Sequence, residues 1–423
     1  MVTTPKPTTP VPATPVVLDP TGADHHTEHQ LLRSHGAAVL VDVLGVPAWS
    51  ISDPVLLKEL LTSPRVSKDG PAHWPSFEQV VQTWPLSLWI GVSNMFTAYG
   101  ANHRRLRQLV APAFTARRIA GLTTVVEDLV TAILDDLDAL PAGAVVDLRE
   151  HLAYPLPIAV IGHLMGVPDD QRTAFRSTVD GVFDTTLTTA QQAANTKVLY
   201  GMLDELIEAR REHPGEDLTS LLIATRDEDG DDRGDGDGLS GAELRDTLLL
   251  MISAGYETTV NVIDQAISLL LCHRDQLRLV QSGGASWGNV VEETLRLEPA
   301  VKHLPLRYAI TDIELPDGQT IVRGDAILAS YAAANRHPRW HGDTADAFDV
   351  RRPSKDHLAF GHGVHFCLGA PLARIEVATS LRLLFTRFPR LELACEAAEL
   401  VPLPSLISNG HTALPVRLNP VST

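Results

Sequence analysis

The residues best equipped for chemistry lie in one loop near the carboxyl end: Phe360-Gly361-His362-Gly363-Val364-His365-Phe366-Cys367-Leu368-Gly369. Three glycines around one cysteine let the backbone come close and turn its N–H groups toward sulfur. Gly369-Ala370-Pro371 then opens a helix, with Pro371 suited to its first turn. A thiolate just before a helix N-terminus gains ~0.3–1 kcal/mol from the dipole besides those hydrogen bonds. Such a sulfur is a nucleophile or a metal ligand. Three readings compete for Cys367. An inert buried thiol, which suits Cys272 and Cys395, leaves the glycine cage unexplained. A zinc site recruiting His357, His362 and His365 lacks the paired ligands on rigid knuckles that structural zinc prefers. Axial ligation of haem iron needs only the one sulfur, and is favoured.

Three further constellations carry polar chemistry. Ala254-Gly255-Tyr256-Glu257-Thr258-Thr259 interrupts an apolar stretch with small residues, an acid and hydroxyls, a poor recipe for a helix interior. Glu293 and Arg296 are three apart in a helical segment, a spacing whose usual product is a nearly worthless surface pair. His103 and Arg107, four apart, share a helix face and suit a pair of carboxylates.

The cysteine loop resembles the haem-binding signature of the cytochrome P-450 superfamily, F-x-x-G-x-H-x-C-x-G, matched at every fixed position. The likeness covers roughly residues 36–420 and is closest to soluble bacterial members. The resemblance implies Cys367 as the axial ligand of haem b, with His103, Arg107, Arg307 and His365 as partners of its propionates. It implies Glu257 and Thr258 as the acid–alcohol pair that manages protons for O2, and Gly255 as a place where cofactor or oxygen nears the backbone. It implies Glu293 and Arg296 as a buried pair bracing the haem loop. The family often completes that pair with an arginine before a Phe-Asp step, where Ala347 stands here; Arg351 or Arg352 could replace it. The expected activity is monooxygenation of a bulky apolar small molecule such as a steroid, terpenoid or polyketide. The alternatives are a peroxide-driven haem-thiolate hydroxylase and a non-catalytic haem sensor or carrier. Trp89, Ala254, Leu304 and Ile407 are expected to line the substrate pocket, although tryptophans at 74, 84 and 89 suit a core equally.

These residues need elements to hold them. A capping box, Ser240 and Glu243, begins an apolar run to Leu271, so a helix of ~48 Å must cross the interior. Further helical patterns span 101–111, 117–140, 170–183, 190–212 and 286–297. Alternation at 37–52 reads as a strand pair, and strand signals return at 307–310 and 320–331, joined by a turn at Asp317-Gly318. The fold expected is mainly α with a small β portion, a single large cytochrome P-450-like haem domain over residues 26–423 with a long central helix. The Pro- and Thr-rich residues 1–25 read as a disordered tail, and 225–238 as a solvated acidic linker rather than a calcium loop.

With 423 residues the chain hides about three quarters of its unfolded surface, so no disulfide staples are needed. A net charge of −17 makes nucleic acid a poor partner. Three scattered cysteines suit a reducing compartment, and no run of 18 apolar residues suggests a membrane span, so the expected location is the cytoplasm. No flavin or nicotinamide fingerprint is present. Electrons are therefore expected from outside, by resemblance from a ferredoxin and its reductase, with Arg104 and Arg105 near the docking face.

Overall fold

The computed structural model describes residues 14–227 and 238–419. The acidic run read as a linker falls almost wholly on 228–237, outside the described residues.

Helices dominate, and each expected helical pattern forms. In chain order they include α1 (His25–His35), α2 (Gly100–Val110), α3 (Ala116–Asp138), α4 (Pro155–Met165), α5 (Arg172–Phe183), α6 (Thr189–Glu212), α7 (Gly241–Cys272), α8 (Trp287–Leu297) and α9 (Ala370–Arg387). The central helix α7 begins with both bonds of the capping box: Glu243 N–H donates to Ser240 Oγ, and Ser240 N–H to Glu243 Oε2. Beyond its first turn it is buried on most sides, so it packs against α4, α6, α8 and α9 at once. One hydrophobic core joins these helices, and a smaller one lies under the sheet.

That sheet has six strands in the order β1-β2-β3-β9-β6-β4. They are β1 (Val16–Val17), β2 (Ala38–Val43), β3 (Val46–Ile51), β4 (Val66–Ser67), β6 (Leu304–Ala309) and β9 (Ala326–Ala329). Alternating burial in β2 and β3 follows from their alternating sequence, and Leu44-Gly45, both at positive φ, close the hairpin. Two smaller sheets pair β7 (Ile313–Glu314) with β8 (Thr320–Ile321), and β10 (Glu392–Leu393) with β11 (Pro415–Arg417) and β5 (Val145–Asp147).

Two expectations are corrected here. The turn at Asp317-Gly318 joins β7 to β8 rather than linking 307–310 to 320–331, and 320–331 is not one strand. Gly324, at φ +88°, breaks it into β8 and β9. The tail boundary is also too late. Val16–Val17 pairs parallel to β2, Leu18 is buried, and the Pro20 carbonyl accepts from Thr185 Oγ1 at 2.6 Å. Apolar Val16-Val17-Leu18 was the signal, hidden by the prolines before it.

Candidate active site

Between α7, α9, β6 and the cysteine loop lies a cavity of about 1380 Å³, open solvent at its mouth included. The loop is built by its glycines. Gly361 and Gly363 sit at φ +69° and +73°, and a Cβ on Gly363 would lie 3.0 Å from the Leu61 carbonyl oxygen. Cys367 N–H donates to the Phe360 carbonyl at 2.9 Å, closing the loop, and the sulfur faces the cavity. Desolvation pushes the Cys367 thiol up, while the backbone N–H groups of Gly369 and Ala370, at the start of α9, pull it back. A metal ion overcomes that balance, because coordination deprotonates a thiol outright.

Basic side chains gather in the cavity wall. Lys68, Arg107, Arg307 and His365 line it, and the His103 ring lies 4.2 Å from that of His365. Lys68 donates to the Pro305 carbonyl at 3.3 Å and sits over the Phe96 ring; Arg107 Nη2 donates to the Phe366 carbonyl at 2.8 Å. Arg307 Nε and His103 Nε2 are buried without partners. Burial drives the Lys68 ammonium far below its ordinary range, with Arg307 adding repulsion. Burial and the neighbouring guanidinium groups bring His103 down to about 4 and His365 lower still. Buried charges of one sign call for counter-charges. The one carboxyl in this wall, Glu376, has no partner and is pushed far upward by burial, so it supplies none. A thiol and a group of basic side chains lining one largely apolar space fit iron protoporphyrin, which offers a metal at its centre and two carboxylates at its edge.

At mid-α7 the expected acid–alcohol pair divides. Thr258 lines the cavity, its Oγ1 donating to the Ala254 carbonyl at 2.6 Å. Glu257 is buried behind it, among polar groups. Asn261 Nδ2 donates to its Oε1 at 3.0 Å, Arg149 Nη2 lies 3.8 Å away, and Oε2 has no partner. Arg149, wholly buried, also reaches Asp264 at 3.2 Å and Asn261 at 2.9 Å. Asp264 in turn accepts from the His411 N–H. Burial raises the Glu257 carboxyl to about 7, against the attraction of Arg149. A group at that value can take and give protons near neutrality. Gly255 lines the cavity as expected and also serves packing, since its missing Cβ would meet Ile161 Cδ1 of α4 at 2.8 Å.

Glu293 and Arg296 form a bidentate pair, both bonds 2.9 Å and both side chains fully buried. The third member is Arg352, whose Nε donates to Glu293 Oε1 at 3.1 Å while its other nitrogens reach Thr344 and the Ala347 carbonyl. Arg296 also donates to the Ala345 and Ala347 carbonyls. The guanidinium missing at position 347 thus arrives from five residues on, with Arg351 left exposed.

Several expected placements do not hold. Ala254 and Leu304 line the cavity, whereas Trp89 and Ile407 do not. Trp89 donates to the Val182 carbonyl and packs edge-on to Phe183; Ile407 is fully buried. Trp74 and Trp84 are core, Trp74 stacked on Tyr308. Cys272 is exposed and Cys395 partly so, correcting their reading as buried thiols. His357 bonds Glu292 at 3.1 Å, and among the described residues no metal-like cluster includes Cys367 and histidines. Arg105 is committed to Glu243, Asn102 and the Gly238 carbonyl, leaving Arg104 as the exposed cation. The sequence reading missed Lys68 and Arg149. Lys68 carries no local signal, but Glu257, Asn261 and Asp264 at i, i+4 and i+7 mark a polar stripe on α7 that requires a buried cation.

The family model described as Cytochrome P450 matches residues 288–399. The 2-hydroxy-5-methyl-1-naphthoate 7-hydroxylase of Streptomyces carzinostaticus is 40% identical, the match covering 95% of this chain and 97% of that one. The 6-deoxyerythronolide B hydroxylase of Saccharopolyspora erythraea is 36% identical over 94% of this chain and 96% of its own. The solved structure of CYP154A1 from Streptomyces coelicolor superposes with TM-score 0.91 at 68% identity, covering 95% of this chain and all of that one. The cavity with its single thiol and these likenesses lead to one conclusion: the chain belongs to the cytochrome P450 family, and it is a haem-dependent monooxygenase.

Proposed function

We propose that this monooxygenase hydroxylates a bulky apolar small molecule of the steroid, terpenoid or polyketide classes, in the cytoplasm, with electrons from a ferredoxin and its reductase. The observation that carries the substrate class is the cavity itself. It extends from the cysteine loop along α7 to β6, and concave, mostly apolar sites of this kind take apolar guests. Met95, Leu250, Ala254, Val262 and Leu304 give its walls an apolar character. The named relatives act on a naphthoate and a deoxyerythronolide, both bulky carbon skeletons.

Haem bound here supplies the activation of O2. Cys367 would hold the iron, and Lys68, Arg107, Arg307, His103 and His365 the propionates. Ala254 and Leu304 orient the guest. Thr258 Oγ1 holds a proton at the cavity wall, and the Glu257 carboxyl exchanges protons behind it. Glu293, Arg296 and Arg352 fix the segment that carries the cysteine loop. Exposed Arg104 lies beside Gly363 and Val364 on the outer side of that loop, a place where an acidic electron carrier can approach.

The test is reconstituted turnover. Purified protein with ferredoxin, ferredoxin reductase and a panel of steroids and macrolides is expected to give products carrying one added oxygen. Product only from hydrogen peroxide, or none from any bulky apolar candidate, overturns the proposal.

A further inference from the structure

Outside the haem cavity, two clusters of histidine and glutamate join the first turns of α1 to later parts of the chain. One joins His25 and His26 to Glu298; the other joins Glu28 and His29 to His303. In the first cluster the carboxylate is already used: Arg336 donates to Glu298 Oε1 at 2.9 Å and Asn409 to Oε2 at 2.9 Å. Arg336 also donates to His26 Nδ1 at 2.8 Å. In that cluster both carboxylate oxygens and His26 are already engaged, although His25 Nε2 has no partner.

The second is different. His29 Nε2 and His303 Nε2 face each other at 3.1 Å, and Glu28 Oε1 stands 3.7 Å from His303 Nε2. Tetrahedral zinc with bonds of about 2.0–2.1 Å places neighbouring ligand atoms about 3.3 Å apart, between these two distances. On Glu28 and His303 the outer contacts leave the inward atoms free, while His29 Nδ1 is buried without a partner. Glu28 Oε2 accepts from the Asp19 N–H at 2.9 Å, leaving Oε1 without a bond of its own. His303 Nδ1 lies 3.0 Å from Ser330 Oγ, which lies 2.7 Å from Ser50 Oγ. If Ser330 accepts from Nδ1–H and donates to Ser50, the Nε2 lone pair of His303 points inward, the usual arrangement behind a metal-bound histidine. Both histidines are 1% exposed, so an ion held between them would sit away from bulk water. Lys302, next in the chain, turns its ammonium to the Gly22 carbonyl instead. Glu28 remains partly exposed, and so offers an entry path.

We propose that Glu28, His29 and His303 form a site for one divalent transition-metal ion of the zinc class, with water as the fourth ligand. The site ties α1 to the start of β6. His303 immediately precedes Leu304, which lines the haem cavity, so the ion also steadies one edge of the substrate pocket.

The experiment uses the haem-loaded full-length chain without an affinity tag, stripped with chelator and then titrated with Zn2+ against a chromophoric competitor. One equivalent is expected to bind, the thermal midpoint to rise with zinc, and an anomalous peak at the zinc edge to appear between Glu28, His29 and His303. Glu28→Gln and His29→Gln are each expected to weaken that equivalent roughly tenfold or more, with His26→Gln unchanged. Should His29→Gln fail to fold, partly exposed Glu28 and the anomalous peak decide the question. Wild-type protein without a stoichiometric equivalent, retention of it in Glu28→Gln, or its loss in His26→Gln alone overturns the proposal. The two imidazoles then form only a hydrogen-bonded pair.

Discussion

Glu257 should make the enzyme less stable in return for being useful. Its carboxyl is raised from the ordinary 4.5 to about 7, because burial outweighs the attraction of Arg149 at 3.8 Å. Below pH 4.5 the group is protonated both folded and unfolded, and it has no effect. Between 4.5 and 7 the folded protein keeps a proton that the unfolded chain has lost, so stability falls as pH rises through this window. Above 7 the full penalty persists, about 3 kcal/mol for a shift of this size. Glu257→Gln keeps an oxygen to accept from Asn261 and removes the charge, while Arg149 retains Asp264. The variant is therefore expected to exceed wild type by under about 1 kcal/mol at pH 5 and by up to about 3 kcal/mol at pH 8. The measurement is thermal or urea unfolding of haem-loaded protein from pH 5 to 8, taken as the difference between variant and wild type. Asp180, also raised by burial to about 6, is present in both proteins and largely cancels in that difference. Coupled turnover should move the other way, falling about a hundredfold or more and losing any limb near pH 7. A flat difference curve, or a variant less stable at pH 8, refutes this account of the buried acid.

Other substitutions separate the remaining roles. Thr258→Ala leaves the fold intact but should divert electrons to peroxide, measured as peroxide released per electron pair consumed; unchanged coupling removes Thr258 from proton handling. Arg352→Ala withdraws a buried donor from Glu293 and should cost about 3–5 kcal/mol with loss of haem, whereas exposed Arg351→Ala should stay within about 0.5 kcal/mol. Equal effects at the two positions would refute the assignment of Arg352 as third member. Gly363→Ala forces positive φ on a side chain against the Leu61 carbonyl, so about 1–3 kcal/mol and the haem absorbance should be lost together. Ala254→Leu should narrow the range of guests that shift the haem spectrum, while Trp89→Phe should not.

The helices were legible because their signals are local. The capping box of Ser240 and Glu243 and the apolar run after it fix α7 without reference to any neighbour, and both bonds form. The alternation of 37–52 fixes a hairpin in the same way. The short strands were less legible because pairing partners decide them. Val16–Val17 is a strand only because β2 offers a free edge, and Thr320–Tyr331 divides because Gly324 turns back at positive φ, where a Cβ would meet Pro75. Two residues of backbone pairing carry too little periodicity to be read in one dimension.

At the site the same boundary falls between chemistry held within a segment and chemistry assembled across segments. Cys367 and its glycines could be read together since one loop holds them all. Arg352 could be narrowed only to a pair, because the choice depends on which guanidinium reaches Glu293 after the chain turns at Asp349. Lys68 arrives beside Arg307 from more than two hundred residues away, and its own sequence is unremarkable. Arg149 lies between these cases. Glu257, Asn261 and Asp264 form a polar stripe along an otherwise apolar buried helix, and carboxylates in that position require a cation. The stripe states that a partner exists and on which face, but the partner's number is settled by the turn after β5 that brings Arg149 against α7. Helical periodicity can thus announce a buried charge network from one side alone, and tertiary packing supplies the other half.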